Sequence, residues 1–207
     1  MKDSKPIVEK SIAEALKSNR HFETFVKAVS QESNPRNISQ IKCHTITVGT
    51  CWEEFCKEYA IHILNWQVWS LKDCPYLEEL KMKRRDVGID LVAQDQNQNF
   101  IAIQCKFRKN FQRLSWRDLS TFDALCMRTG PWFKHVVMTT STSVTREGCT
   151  LSKDVFYGKR HFETLSRHEW LKIAGYGEGN ICGGKSLTNA EDLRQARLKF
   201  LENSTKS

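Results

Sequence analysis

Residues 86–107 have the sequence DVGIDLVAQDQNQNFIAIQCKF, and this stretch decides the fold class of the chain. Two segments in it, Gly88 to Ala93 and Phe100 to Phe107, have the apolar and β-branched composition of strands. The polar, turn-forming residues 94–99 between them suit a hairpin loop. The stretch therefore predicts two strands joined as a β-hairpin.

Helices and strands are also predicted on both sides of this hairpin. The elements before it are a helix beginning at a capping-box pattern, Thr50-Cys51-Trp52-Glu53, and a short strand at 68–71. Those after it are a capped helix from Ser115 to about Gly130, strands at 135–139 and 155–157, and a helix at 166–173. The order helix, strand, strand, strand, helix, strand predicts an α/β sandwich around a central mixed sheet.

The ends of the chain differ in composition from this body. Residues 7–30 have loosely helical apolar spacing, and a polar stretch containing Asn34-Pro35 follows them. Residues 175–184 are rich in glycine and precede a predicted helix at 188–201. We therefore predict three parts: a helical appendage and linker at 1–40, the main domain at 41–178, and a Gly-rich loop, C-terminal helix and tail at 179–207.

The hairpin predicts a cluster of polar side chains. Strand side chains alternate between the two faces of a sheet, and the apolar residues are expected to share a single buried face. The register that buries them brings Asp90 beside Gln104 and Lys106. The backbone carbonyl of Cys105 offers a further oxygen ligand. Hard oxygen ligands of this kind suit Mg²⁺, which also binds substrate phosphates.

The chain has a net charge of +8, and six of those charges lie within residues 81–117, where nine basic residues accompany three acidic ones. Such a cluster favours a nucleic-acid partner, bound through its phosphates in a salt-dependent way. The predicted phosphate-binding residues are Lys81, Lys83, Arg84, Arg85, Arg108, Lys109, Arg113 and Arg117. The aromatic residues Phe111, Trp116 and Trp132 are suited to stacking on bases, although core packing is the simpler expectation for Trp116.

Other classes of protein are disfavoured by composition. No stretch has the roughly 18–20 uninterrupted apolar residues of a membrane span, and no signal sequence is evident. The eight cysteines include no CxxC pair, so we expect buried free thiols in a reducing intracellular compartment, the cytoplasm or the nucleus. A zinc site built from Cys43, His44, Cys51 and Cys56 is a weaker alternative, because the spacing fits no familiar pattern.

The pattern Asp86-Val87-Gly88-Ile89-Asp90, followed by Gln104-Cys105-Lys106, resembles the PD-(D/E)xK nuclease superfamily, and in particular the QxK variant of the Mrr-type restriction-endonuclease domain. Gly49 and Trp52-Glu53-Glu54-Phe55 are similar to the first-helix motif of that family. Further stretches, Leu114-Ser115-Trp116 and Thr129-Gly130-Pro131-Trp132 among them, resemble a branch found in large DNA viruses and some eukaryotes, so a virus-encoded origin fits.

The resemblance implies a restriction-endonuclease-like αβββαβ core with N-terminal and C-terminal helical additions. It implies a Mg²⁺-dependent endonuclease, with Mn²⁺ as a substitute, that hydrolyses DNA through a metal-activated water. Glu53 and Asp90 would be acidic metal ligands, Gln104 would replace the usual second acid, and Lys106 would be the catalytic lysine. A helicase or a second copy of the chain are the partners that the family suggests.

The residues leave alternatives open. Glu53 could simply complete a capping box with Thr50, and Asp86 could simply neutralise Arg84 and Arg85. An amide binds Mg²⁺ less strongly than a carboxylate, so a site with Gln104 depends on Glu53 for its charge. The second hypothesis is therefore a catalytically silent nucleic-acid-binding module of the same fold, tethering a helicase or other partner. The sequence does not distinguish DNA from RNA.

Overall fold

The structure is a computed structural model that describes residues 4–31, 38–85, 87–144 and 154–176, with the backbone alone for 38–47. Its helices are α1 (Lys5–Leu16), α2 (His21–Gln31), α3 (Ile38–His62), α4 (Trp116–Arg128), α5 (Lys159–Glu163) and α6 (Arg167–Ile173). Its strands are β1 (Gln67–Ser70), β2 (Leu91–Gln94), β3 (Phe100–Lys106), β4 (Lys134–Thr139) and β5 (Asp154–Tyr157). The predicted Asp86 position and the helix at 188–201 lie outside the described residues.

The five strands form one mixed sheet in the order β1-β2-β3-β4-β5. Strands β1, β2 and β3 are antiparallel neighbours, whereas β3, β4 and β5 run parallel. One edge is formed by the ends of β1, β3, β4 and β5 and the start of β2, and we call it the Lys106 edge. The opposite edge, where β4 begins, is the Lys134 edge. The predicted α/β sandwich with a central mixed sheet and an αβββαβ core is confirmed.

Both faces of the sheet are buried, so the expectation of a single buried face was wrong. Leu91, Ile103 and Cys105 pack on one face with residues of α1, α2, α3, α5 and α6. Val92 and Ala102 pack on the other face with α4 and with the segment 71–82. The strands are apolar on both sides because helices or loops cover both, as in other sheets that contain parallel strands.

Helix α3 begins twelve residues earlier than its predicted start at Thr50. The Thr-x-x-Glu pattern forms a capping box only where the preceding chain leaves the helix. No proline stands between Ile38 and Thr50, and that segment continues the helix. The predicted cap is therefore wrong, and Glu53 lies well inside a helix of 25 residues.

Helices α1 and α2 pack into the same apolar core as the body of the chain. Phe22 of α2 contacts Trp52 with its ring centroid 6.2 Å away, and Phe25 contacts Phe55 at 4.6 Å. The Trp52 indole N–H donates to the Met138 carbonyl at 3.1 Å, which ties α3 to β4. The division of the chain at residue 40 stays a prediction, and α3 runs across it.

The capping of α4 agrees with its predicted start. Asp118 Oδ2 accepts hydrogen bonds from the Ser115 N–H at 2.8 Å and the Ser115 hydroxyl at 2.9 Å.

Strand β2 is shorter than predicted, because Gly88 has a φ of +123° that takes the chain out of the extended conformation. Within the described residues, no helix combines the length and the apolar composition that a membrane span requires.

Candidate active site

Asp90 lies at the Lys106 edge, immediately before β2. Its backbone N–H donates to the Ile103 carbonyl at 2.9 Å, which extends the hairpin pairing by one residue. Its side-chain Oδ2 accepts the Cys105 N–H at 2.7 Å and a hydrogen bond from Gln104 Nε2. Asp90 and Gln104 are thus side by side, as the strand pattern predicted, and the carboxylate is held by two donors from β3.

Gln104 is buried beside Asp90. It is only 2% exposed and lies on the face of β3 opposite to Cys105. The amide N–H₂ group points at Asp90 and holds this neighbouring carboxylate in place. Among the described residues, no donor bonds to the other Asp90 oxygen, Oδ1. That oxygen is the one free to bind a ligand.

Glu53 reaches the same place from α3. It is half-buried next to the fully buried Trp52, and the pKa of its carboxyl is raised to about 7. Burial is the largest cause and the negative charge of Asp90 adds to it, while the positive charges of Lys106 and Lys72 act in the opposite direction. These three charged groups therefore lie within electrostatic range of Glu53, which the structure places at the Asp90 cluster rather than at a helix start.

Lys106 is the last residue of β3 and is half-buried. Its backbone is fixed by pairing with Thr139 of β4, and its carbonyl accepts the Thr140 N–H at 3.3 Å. Its positive charge opposes the effect of burial, which raises the pKa of Asp90. The ammonium group therefore acts on both carboxylates from a rigid strand.

Lys72 is a site residue that sequence reasoning missed. It is exposed, follows β1 by two residues, and acts on the pKa of Glu53. The pairing of Ser70 with Leu91 explains its position, because residues just after Ser70 then lie next to residues just before Leu91. The sequence signal was the short strand at 68–71, which was predicted without a partner.

Two thiols lie beneath the carboxylates. The Cys105 side chain faces α3 and is in hydrogen-bond contact with Cys56, one turn along the helix from Glu53. Burial raises the pKa of both thiols, so both are neutral. The Cys105 carbonyl stays a predicted metal ligand, and Cys51 is also a buried cysteine. The side chains of Cys43 and His44, on which the zinc alternative depends, lie outside the described residues.

The eight predicted phosphate-binding residues are not gathered in one place. Lys109, Arg113 and Arg117 are exposed near the Lys106 edge, whereas Arg108 is engaged with Asp118 on α4. The other four, Lys81, Lys83, Arg84 and Arg85, are exposed on a segment that runs alongside α4. That segment starts near the C-terminal end of α4, where the Gly130 N–H donates to the Leu80 carbonyl at 3.0 Å, and ends at Gly88 beside Thr121. From Thr121 to Arg128, the last residue of α4, the helix rises about 10.5 Å, so these residues form a line leading to the site.

The aromatic residues considered for base stacking have different environments. Trp132 is buried and its indole N–H donates to the Thr129 hydroxyl at 3.0 Å, and Phe111 is half-buried under the Lys159 ammonium. Trp116 is 53% exposed, so the expectation that it packs in the core was wrong. It stands at the first residue of α4.

Residues 58–157 match a family model, Mrr_cat_2, that is described as a restriction endonuclease. This match is consistent with a Mrr-type restriction-endonuclease-like domain, and the matched region includes Asp90, Gln104 and Lys106. Among solved structures, a protein titled "Crystal Structure of Protein of Unknown Function AF1548" is 12% identical with a TM-score of 0.39, covering 75% of this chain and all of its own. No curated protein matches the sequence.

Proposed function

We propose that the protein is a metal-dependent endonuclease that hydrolyses DNA phosphodiester bonds. The observation that carries this proposal is the convergence of two carboxylates and a lysine from separate elements at one edge of the sheet. Glu53 comes from α3, whereas Asp90 and Lys106 come from the hairpin. The family match supports nuclease chemistry for this domain.

Glu53 and Asp90 form the carboxylate donor set for a divalent cation. Among the described residues no group of three or more His, Cys, Asp and Glu side chains forms a metal site. Mg²⁺, however, needs only one or two carboxylates, and it keeps waters and substrate phosphate oxygens as its other ligands. Glu53 and Asp90 supply two carboxylates that repel each other in a partly desolvated place, and a cation relieves that repulsion. The residues therefore fit Mg²⁺, or Mn²⁺ in its place.

The residues of the chain have distinct roles in this proposal. Glu53 and Asp90 Oδ1 hold the cation, with the Cys105 carbonyl as a further oxygen. When bound, the cation lowers the pKa of a water and offsets charge on the scissile phosphate. Gln104 is a positioning residue, since it acts on the site by orienting Asp90. Lys106 orients the nucleophile or stabilises the negative charge that develops on the phosphate.

Positive charge around this edge supports nucleic acid as the substrate. Lys109, Arg113 and Arg117 follow β3 in the chain and are exposed near the Lys106 edge. The exposed basic residues between Lys81 and Arg85 lie on the segment alongside α4. Each of these exposed cations can displace a counterion from a phosphate. The proposal of a helicase or a second copy of the chain as a partner rests on the family resemblance. The proposal of an intracellular compartment rests on the composition.

The second candidate function is a silent DNA-binding module of the same fold. The observation in its favour is the buried amide of Gln104 in place of an acid, which leaves two carboxylates to hold the metal. The same basic surface would then bind DNA without cutting it. The two functions differ in their dependence on Asp90 and Lys106.

Nicking of supercoiled plasmid separates the two functions. The purified chain is incubated with Mg²⁺, Mn²⁺ or EDTA, next to Asp90→Ala and Lys106→Ala. We expect metal-dependent nicking that each substitution lowers by at least about 100-fold. Lys134→Ala, at the opposite edge of the sheet, is the matched control and should nick like the parent. Equal nicking by parent and Asp90→Ala would refute the catalytic assignment, and DNA binding without metal-dependent nicking would support the silent module.

A further inference from the structure

Trp116 is the most exposed of the six tryptophans, all of which lie in the described ranges. Its exposed fraction is 53%, whereas Trp52, Trp132 and Trp170 are buried and Trp66 and Trp69 are half-buried. Leaving a large aromatic ring in water forgoes the free energy of its burial, which is several times the thermal energy. An exposed tryptophan next to the Lys106 edge is therefore available to a ligand.

The geometry of α4 explains why this ring overhangs the Lys106 edge. Leu119, Phe122 and Cys126 form the apolar face of the helix that packs on the sheet, and Trp116 continues the same face by one turn. Gly88 packs against the backbone of Thr121, where an added Cβ would stand 3.0 Å from the carbonyl group. Trp116 lies five residues before Thr121, about 7.5 Å further along the helix axis. Trp116 therefore lies further toward the N-terminus of α4 than the residue against which Gly88 packs.

The start of α4 is fixed in position relative to the catalytic residues. Arg108, two residues after Lys106, forms an ion pair with Asp118, and its N–H donates to the Thr140 hydroxyl at 2.6 Å. Asp118 in turn caps the helix through Ser115. Trp116 therefore stands on a rigid element that is tied to the strand carrying Lys106.

Basic residues lie near Trp116 in the chain. Between residues 107 and 122 there are four basic residues and one acidic residue, Asp118. Asp118 is engaged by Arg108, so the exposed Lys109, Arg113 and Arg117 keep their charges available for a polyanion. An aromatic face flanked by cations is the arrangement with which proteins bind single strands, because an unpaired base stacks on the ring while its phosphates contact the cations.

We propose that Trp116 is a stacking platform for an unpaired base. Together with Lys109, Arg113 and Arg117 it binds single-stranded nucleic acid next to the Lys106 edge. This inference deepens the proposed function and rests on it for the role of the strand as substrate. In a duplex the faces of the bases are covered by their neighbours, so the ring has no partner there. The substrate class is then a strand with unpaired nucleotides beside the scissile phosphate.

Fluorescence anisotropy with a labelled oligothymidylate of about 12 nucleotides tests the platform directly. Binding is measured for the full chain with EDTA in the buffer, so that no strand is cut, and a duplex of equal length is the comparison. Trp116→Ala should weaken single-strand binding by roughly 5- to 150-fold, the equivalent of about 1–3 kcal/mol of stacking, and change duplex binding by less than about 2-fold. Trp116→Phe should restore most of the affinity, because it keeps an aromatic face.

Phe133 provides a matched control. It is 49% exposed and lies under the Lys134 ammonium, at 5.2 Å from the ring centroid, but at the opposite edge of the sheet. Phe133→Ala should leave single-strand affinity unchanged. The platform is refuted if Trp116→Ala keeps single-strand affinity within about 2-fold, if it weakens single-strand and duplex binding equally, or if Phe133→Ala has the same effect.

The nicking and anisotropy experiments fail independently of each other. If Asp90→Ala abolishes nicking while Trp116→Ala binds single strands normally, the nuclease stands and the platform is wrong. If no condition supports nicking while Trp116→Ala loses single-strand affinity, the platform belongs to a silent binding module.

Discussion

Replacing Glu53 with glutamine should stabilise the metal-free protein at alkaline pH. Glutamine has the shape of a protonated glutamic acid, so the substitution removes the charge with little change in packing. The pKa of Glu53 rises from 4.5 to about 7 on folding, mainly because of burial and then because of Asp90. The folded protein therefore binds this proton more tightly than the unfolded chain does.

The sign of the effect follows from this difference in pKa. The stability contributed by protonated Glu53 is fully present below pH 4.5 and is lost as the pH rises through about 7. Above pH 7 the folded protein carries the unfavourable charge, at a cost of about 2–3 kcal/mol once partial exposure to solvent is allowed for. Removing the charge should raise the melting temperature at pH 8 by about 4–12 °C.

Thermal unfolding followed by circular dichroism, in EDTA at pH 5 and pH 8, measures this effect. We expect most of the difference between Glu53→Gln and the parent to disappear at pH 5. Added Mg²⁺ should reduce it at pH 8, because the cation stabilises the parent more than the variant. Glu54→Gln is the matched control, since Glu54 lines a small cleft beside α1 and α6 instead. An equal difference at both pH values, or a less stable variant at pH 8, would show that Glu53 does not belong to a desolvated carboxylate pair.

Two further predictions concern the approach to the site. Gly88→Ala should lower the free energy of unfolding by about 2–4 kcal/mol, because φ is positive there and a Cβ meets the Thr121 backbone; an unchanged urea midpoint would contradict that close packing. Arg84→Glu with Arg85→Glu should weaken DNA binding and lower the slope of log affinity against log salt by about 2, if each contacts one phosphate. The control is Arg160→Glu with Arg167→Glu, two exposed residues on the other side of the sheet, which should change the slope far less. Equal slopes for the two double variants would show that Arg84 and Arg85 do not contact DNA.

Local sequence was sufficient for the hairpin and its polar cluster. The alternation of side chains in residues 86–107 placed Asp90 beside Gln104, and the structure brings the two into a hydrogen bond. This worked because the two strands are neighbours in the chain, with a loop of five residues between them. The capped start of α4 at Ser115 was predicted for the same reason, since a capping box involves residues three apart.

Longer-range features were beyond the sequence pattern. The Thr-x-x-Glu motif at residue 50 resembles a helix start in isolation, and only the continuous α3 shows that Glu53 lies within the helix and near Asp90. The role of Lys72 depends on which strand pairs with β1, a contact between residues about 20 positions apart. Local preferences carry no information about either contact.

The order of the elements, the hairpin that carries Asp90, Gln104 and Lys106, and the excess of positive charge near them follow from the amino-acid sequence. Which charges meet and which surfaces stay open depends on how the helices and loops pack against the sheet. Elements that pack on both faces of the sheet bury strand residues that a one-sided pattern would leave exposed. Trp116, at the start of α4, stays exposed. The physical reason is that burial is a property of the whole packed molecule, since the apolar spacing that predicts a core position is the same whether or not another element covers it.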